Sequence, residues 1–190
     1  MHKYTTNELV AMRPTLEQTL AKKRNPIIFV LNNIRSLQNV GLFFRLADAI
    51  LAEKIYLTGY TGFPRREDDS RDERIILHAE KEINKTAIKL VSHVPWEQKD
   101  DPLKLLNDLG NRGYQRVAVE QTDISLDFRK TKYQFPLALI FGHERTGVED
   151  QLLTMADKII HIPMIGTGNS HNVAMSAAIV SYHLLDSLPA

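Results

Sequence analysis

Three segments of the sequence combine glycines with amide, carboxylate, guanidinium and hydroxyl side chains that bind ligands or stabilise charge. They are residues 32–45, 139–148 and 160–178. A guanidinium such as that of Arg45 can stabilise a developing anion, and a carboxylate such as Glu144 can orient it or accept backbone amides. Gly166 and Gly168 leave backbone N–H and carbonyl groups accessible to a ligand. The segments therefore indicate a site that binds a ligand and does chemistry on it.

Short apolar runs alternate with segments of helical periodicity, and this alternation predicts the elements that position the three segments. Strands are predicted at residues 26–31, 54–58, 88–94, 116–120, 137–141 and 158–163. Helices are predicted at residues 7–23 with an interruption at Pro14, and at 40–51, 79–86, 102–111, 148–154 and 172–187. The pattern predicts βαβ units, hence an α/β fold with a mainly parallel sheet and helices on both faces. Ligands bind outside the carboxyl ends of the strands in such sheets, where all three segments fall.

Composition restricts the classes of protein and of site that the chain can form. The length of 190 residues suits one domain, and 43% hydrophobic with 25% charged residues is ordinary for a soluble globular protein. Cysteine is absent, which excludes disulfides, iron–sulfur clusters and Cys nucleophiles. The seven histidines lack ligand-like spacing, so we expect no metal. No apolar run approaches the ~18 residues of a membrane span and the N-terminus lacks a signal-peptide pattern, so we expect a cytoplasmic protein without a membrane partner.

The common nucleotide-binding and hydrolase motifs do not explain the glycines. Gly166 and Gly168 form a G-x-G, but His171 stands where a dinucleotide fingerprint needs a small residue, and the motif follows the last predicted strand rather than the first. Neither a P-loop nor a G-x-S-x-G elbow occurs. These motifs therefore leave the three segments unexplained.

Taken in order, the three segments resemble the three motifs of the SpoU (TrmH-like) branch of the SPOUT RNA methyltransferases, from about residue 26 to residue 185. The resemblance implies transfer of a methyl group from S-adenosylmethionine to a ribose 2′-hydroxyl of RNA. It also implies a C-terminal deep trefoil knot, a rare exception to unknotted topology, and a homodimer. The residues that match the family's catalytic positions are Asn39, Arg45, Glu144, Ser170 and Asn172.

The resemblance further implies that the second and third motifs hold the cofactor. The expected cofactor-binding residues are Phe141, Gly142, His143, Glu144, Ile162, Met164, Ile165, Ser170, Asn172 and Val173. Ile162, Met164 and Ile165 are expected to supply apolar contacts to adenine. His143 and His171 depart from the family pattern, which usually has a small polar residue and a leucine there. Residues 85–87 resemble a short K-T-A stretch of the same family.

Two of the matched residues also have purely structural interpretations. Arg45 is expected to stabilise the alkoxide that develops on the ribose oxygen and to orient an RNA phosphate, because a guanidinium of pKa about 12.5 or more is a poor free base. Alternatively, it is a helix-surface arginine that pairs with Asp48. Asn39 alternatively serves as the N-cap of its helix.

The motif residues near the C-terminus have alternatives of the same kind. Glu144 is expected to orient Arg45, to accept loop amides or to contact RNA. It could instead be a carboxylate at the N-terminus of the helix predicted at residues 148–154. Ser170 or Asn172 could simply cap the last helix.

The basic residues show where RNA could bind. The formal net charge is only +1, so binding needs a local concentration of cations. The expected RNA-binding residues are Arg45, Lys22, Lys23, Arg24, Arg65 and Arg66. We expect residues 1–25 to form an N-terminal helical extension and residues 26–190 the methyltransferase domain. Compact relatives often act on tRNA, which is the expected substrate; an rRNA substrate, a non-catalytic knotted RNA-binding protein and an unrelated nucleotide-binding protein are the alternatives.

Overall fold

The computed structural model describes residues 1–188, and within them seven parallel strands form one sheet. The strands are β1 Asn25–Asn32, β2 Ala52–Thr58, β3 Trp96–Lys99, β4 Gln115–Val119, β5 Leu126–Asp127, β6 Leu137–Phe141 and β7 Lys158–His161. Their order across the sheet is β3-β2-β1-β6-β4-β7-β5. This confirms the predicted α/β fold. The knot that the family resemblance implies is compatible with this order.

Helices pack on both faces of the sheet, as predicted. They are α1 Thr6–Ala11, α2 Leu16–Leu20, α3 Leu37–Ala49, α4 Glu73–Ala87, α5 Pro102–Asn111, α6 Asp150–Met155 and α7 Val173–Leu185. Buried side chains of α3, α4 and α7 share one apolar core, while those of α5 and α6 form the core of the opposite face. No helix in residues 1–188 is long and apolar enough to cross a membrane.

The central strand β1 shows why the sequence folds this way. Ile27, Phe29 and Leu31 belong to the core under α3 and α7, whereas Ile28 and Val30 belong to the core under α5 and α6. All five are fully buried. A strand covered on both faces needs a continuous apolar run rather than an alternating one. The continuous apolar run therefore places β1 in the middle of the sheet. The polar residues that follow it lie at the carboxyl ends of the strands.

The K-T-A stretch has a packing role at the crossing of α3 and α4. A side chain at Gly41 would collide with the carbonyl oxygen of Ile83 and the hydroxyl of Thr86. That hydroxyl donates a 2.7 Å hydrogen bond to the carbonyl oxygen of Gln38. The close approach fixes α3, and therefore the motif residues on it, against α4.

The strand predicted at residues 88–94 is wrong. Ile88 and Lys89 have φ values of 51° and 63°, and Leu90–His93 is a short 3₁₀ helix. β-branched residues favoured a strand there, but tertiary packing overrides that preference. Val94 is buried in the core, and the actual strand is the next segment, β3.

The N-terminal segment forms two short helices on either side of Pro14, as the interruption predicts. Capping boxes start both, with Thr5 and Glu8 at α1 and Thr15 and Gln18 at α2. The division into residues 1–25 and 26–190 stays a prediction, and its last two positions lie outside the described residues.

Candidate active site

A cleft of about 250 Å³ opens at the carboxyl edge of β6, β4 and β7. The predicted cofactor residues that line it are Phe141, Gly142, His143, Glu144, Ile162, Ser170 and Val173. The parallel strands bring together segments that are far apart in sequence, because their carboxyl ends meet at one edge. The structure therefore places the second and third motifs around one cavity.

Three predicted cofactor residues lie outside this lining. Ile165 is 98% exposed, and Met164 packs its terminal methyl 3.6 Å from where a side chain at Gly168 would lie. Asn172 is not part of the lining, although its neighbours His171 and Val173 are, and it caps α7. Ile162 lines the cleft and Ile165 does not, and the contacts to adenine expected from both stay a prediction.

The carboxylate of Glu144 holds the loop that follows β1. It accepts backbone N–H bonds from Arg35 and Ser36, both 3.0 Å long, and a 2.8 Å bond from the side-chain amide of Asn39. Burial raises the pKa of Glu144, but these bonds and its own backbone N–H outweigh it and hold the pKa below the ordinary 4.5. Of the roles open for Glu144, the structure shows acceptance of loop amides, at the N-terminus of α3 rather than of α6.

The side chain of Asn39 is buried and connects two motifs. Its Nδ2 donates to Glu144, and its Oδ1 accepts a 3.0 Å bond from Nδ2 of Asn172. The alternative that Asn39 is the N-cap of its helix is wrong, because Ser36 holds that position and accepts the backbone N–H of Asn39 at 3.3 Å. The Asn39 amide is thus left to join the first motif to the second and third.

Asn172 caps the last helix, as one interpretation of the sequence predicts, and it also contacts the first motif. Its Oδ1 caps α7 by accepting the N–H groups of Ala174 at 2.9 Å and Met175 at 3.3 Å, while its Nδ2 binds Asn39. Ser170 makes no such cap; it is exposed and lines the cleft. The helix start and the hydrogen bond between motifs therefore depend on one side chain.

Arg45 lies apart from this hydrogen-bonded chain. It is an exposed residue of α3, and within residues 1–188 its guanidinium has neither a hydrogen bond nor an ion pair. The suggested pairing with Asp48 is not formed, since that carboxylate lies 3.4 Å from His93. Because no group within residues 1–188 pairs with it, the guanidinium of Arg45 is available to an anionic ligand.

The loop after β6 is a tight turn in which His143 has a structural role. Its backbone exchanges hydrogen bonds of 3.0 and 2.8 Å with that of Gly147. The Nδ1 atom of its ring accepts the N–H groups of Arg145 at 3.1 Å and Thr146 at 3.2 Å. A side chain at Gly142 would collide with the backbone of Gly147. His143 therefore closes the loop by accepting these backbone N–H groups on Nδ1.

A second polar cluster fixes the base of the same loop. The carboxylate of Glu149 accepts 3.0 and 2.9 Å bonds from the side-chain amides of Asn32 and Asn33. Asn33 has a φ of 57°, and its Oδ1 accepts the N–H of Tyr60 at 3.0 Å. The loops that follow β1, β2 and β6 are thereby joined.

Several residues of the cleft were not identified from the sequence. They are Val119, Glu120, Gln121, Arg145, Gly147, His161, Asn169, His171 and Ser176. For Glu120 and Gln121 a signal exists, because two polar residues directly follow the apolar strand β4. The strand is predicted from the sequence, but its carboxyl end lies outside the three segments that indicate the site. No comparable signal marks Ser176 within an apolar helix.

Some of the predicted RNA-binding side chains already make ion pairs or hydrogen bonds within the protein, and others do not. Arg65 is engaged by Glu73 at 2.6 Å and Glu80 at 3.7 Å, and Arg66 donates a 2.9 Å bond to Gln98. Arg24 donates to the carbonyl oxygens of Ala52 and His93, which ties the N-terminal segment to the sheet. In contrast, Lys22 and Lys23 are exposed, and no ion pair engages them in the described part of the chain.

The described residues contain no group of three or more His, Cys, Asp or Glu side chains arranged to hold a metal ion.

The chain was compared with known proteins. A family model described as the SpoU rRNA Methylase family matches residues 26–182. A tRNA (guanosine(18)-2'-O)-methyltransferase from Aquifex aeolicus (strain VF5) is 31% identical over 173 residues, which are 88% of this chain and 72% of that protein. The crystal structure of an A. aeolicus TrmH/SpoU tRNA modifying enzyme has a TM-score of 0.67 at 28% identity, with coverage of 88% and 78%. An AdoMet-bound rRNA methyltransferase from Sinorhizobium meliloti, at 22% identity and a TM-score of 0.67, shares the fold over 88% of this chain and 59% of its own.

Proposed function

Because this chain belongs to the SpoU rRNA Methylase family, we propose that it transfers the methyl group of S-adenosylmethionine to a ribose 2′-hydroxyl of RNA, and that this RNA is a tRNA. One observation carries the proposal. The chain of hydrogen bonds from Glu144 through Asn39 to Asn172 joins all three motif segments beside one cleft. The tRNA substrate is supported by the name of the A. aeolicus relative.

The cleft has features that fit S-adenosylmethionine. Gly142 and Gly147 line the cavity and, having no side chains, present only backbone atoms to it. Ile162 and Val173 offer apolar surface for a base. Glu144 also lines the cavity, and a carboxylate suits a ligand that carries sulfonium and ammonium charges.

When bound, the cofactor supplies an electrophilic methyl carbon. The residues of this chain have to bring the ribose oxygen in line with that carbon, and such orientation contributes about 7–11 kcal/mol to lowering a barrier. Asn39, Glu144 and Asn172 hold the loops in their relative positions. Arg45 supplies a guanidinium that stabilises the negative charge developing on the ribose oxygen while the hydroxyl proton passes to water or to an RNA phosphate.

A homodimer is part of the proposal. Met175, Ile179 and Tyr182 are 55%, 36% and 55% exposed and lie on one face of α7, four and three residues apart. A second copy that covered this apolar stripe would lie beside the cleft, because Val173 and Ser176 of the same helix line it. Light scattering on the wild type and on Ile179→Glu tests this: a dimer that dissociates in the variant is expected, and a monomeric wild type contradicts it.

The enzymatic proposal is tested with purified RNA. Wild-type protein is incubated with labelled S-adenosylmethionine and, separately, with total tRNA and total rRNA, and ribose methylation is mapped on the labelled RNA. Label in tRNA at a ribose 2′-oxygen is expected. Label in rRNA alone favours the other substrate that the family description names, and absence of transfer with either RNA contradicts an enzyme.

A further inference from the structure

Glu120 follows the last residue of β4, faces the cleft, and matches none of the three motifs. Its Oε1 accepts the N–H of Gln121 at 2.8 Å, and its Oε2 accepts the N–H of Val148 at 2.9 Å. The structure gives it no ion-pair partner among residues 1–188. An ionised carboxylate has about four acceptor positions, so each oxygen keeps capacity for a further donor.

The orientation of this carboxylate is fixed by the loop that packs against it. Gly147 has a φ of 73°, and a side chain at this position would collide with Oε2 of Glu120. The two backbone donors come from different segments, one from the end of β4 and one from the loop after β6. The remaining acceptor positions of the two oxygens therefore stand at a fixed place in the wall of the cleft.

Glu120 has more free acceptor positions than Glu144, the other carboxylate of the cleft. Glu144 already accepts three hydrogen bonds from the segment that starts α3. Glu120 accepts two, one on each oxygen. Two neighbouring acceptors on one rigid carboxylate are complementary to the two neighbouring hydroxyls of a ribose. In other α/β nucleotide sites an acidic residue binds ribose hydroxyls in this way.

We propose that Glu120 recognises the cofactor by accepting hydrogen bonds from the hydroxyls of its ribose. This inference rests on the proposed function, which supplies S-adenosylmethionine as the ligand. The apolar side chains of the lining, such as Ile162, contact the base, and Glu120 fixes how far the nucleoside can rotate. Glu120 is thus a cofactor-specificity residue, and it also supports the loop through Val148.

The first test measures binding by calorimetry with S-adenosylmethionine and with S-adenosylhomocysteine, which has the same ribose but no sulfonium charge. Glu120→Gln is expected to weaken both ligands equally, by about 10- to 100-fold, because hydrogen bonds to a charged group are lost. Glu97→Gln, on the edge strand β3, is the matched control and should bind as the wild type does. Loss confined to S-adenosylmethionine overturns the proposal in favour of a sulfonium contact, and unchanged affinity for both overturns it outright.

The second test does not depend on the stability of a variant. The wild type is titrated with S-adenosylhomocysteine and with its 2′,3′-dideoxy analogue, and a preference of about 10-fold or more for the natural ligand is expected. Equal affinity overturns the proposal. In Glu120→Ala the preference should disappear. If the wild type binds neither S-adenosylmethionine nor S-adenosylhomocysteine, it is the proposed function that fails, and the two failures are thereby distinguished.

Discussion

The side-chain amide of Asn172 donates a 3.0 Å hydrogen bond to the side-chain carbonyl of Asn39, which lies 133 residues earlier in the chain. The side-chain amide of Asn39 in turn donates a 2.8 Å hydrogen bond to the carboxylate of Glu144. The direction of each bond is fixed, because a carboxylate only accepts and the Asn39 oxygen is then left to face Asn172. The ends of β1, β6 and β7 are therefore held by amide groups that cannot be reversed.

Asn39→Asp tests this directionality. The substitution puts a carboxylate oxygen where Glu144 now receives an N–H, so two like charges face each other. We expect the free energy of unfolding, measured by urea denaturation, to fall by about 1–3 kcal/mol, and methyl transfer to fall with it. Asn107→Asp, on the exposed side of α5, is the control. Equal stability of the two variants would show that the amide direction is unimportant.

The lowered pKa of Glu144 predicts a pH-dependent contribution to stability. The pKa of the folded state lies below the ordinary 4.5, so the carboxylate stabilises the fold above that value and loses its effect as the pH falls through the folded-state pKa. The difference in free energy of unfolding between wild type and Glu144→Gln should be constant near neutrality. It should shrink as the pH is lowered below 4.5. A difference that does not change with pH contradicts the assignment.

Particular residues show which parts of the fold and site could be predicted from sequence. The fully buried run of β1 and the polar residues after it were enough to place the sheet and the site edge, because both follow from local pattern. The strand predicted at residues 88–94 was wrong because left-handed backbone at Ile88 and Lys89 depends on how α4 ends against the core. The sequence left the N-cap as an alternative role for Asn39, because both Asn and Ser cap helices, and only the structure shows that Ser36 is the cap and that Asn39 contacts Asn172.

The role of Glu120 could not be predicted from spacing alone. Its contacts to Val148 exist only because β4 lies between β6 and β7, and strand order is not encoded in the local pattern. The same holds for His143, whose ring closes its own loop through Nδ1.

Gly41→Ala tests the close crossing of α3 and α4. An added methyl would collide with the Ile83 carbonyl oxygen and the Thr86 hydroxyl, so we expect overpacking to lower the free energy of unfolding by about 1–3 kcal/mol. Gly166→Ala is the control for stability, because nothing lies within 4 Å of the new methyl. Thermal denaturation of both variants measures the difference, and a Gly41→Ala protein as stable as Gly166→Ala would refute the steric argument.

Free and engaged cations should differ in their effect on RNA binding. We expect Lys22→Ala and Lys23→Ala each to reduce the slope of log affinity against log salt by about 1, as the loss of a phosphate contact does. Arg65→Ala should leave the slope nearly unchanged, because Glu73 and Glu80 already engage its guanidinium. Filter binding of tRNA at several salt concentrations measures all three slopes. A larger change for Arg65 than for the lysines would assign RNA contact to the loop between β2 and α4 instead.

Substitution of Arg45 should lower turnover without changing the stability of the fold. Because its guanidinium is exposed and has no partner within residues 1–188, Arg45→Ala should change the free energy of unfolding by no more than about 0.5 kcal/mol. Turnover should nevertheless fall by about 100- to 1,000-fold, as when a group that stabilises a developing oxyanion is removed. The affinity for S-adenosylmethionine, measured by calorimetry, should stay at the wild-type value. Turnover close to wild type would remove Arg45 from the mechanism, whereas a parallel loss of cofactor affinity would move it into the cofactor site.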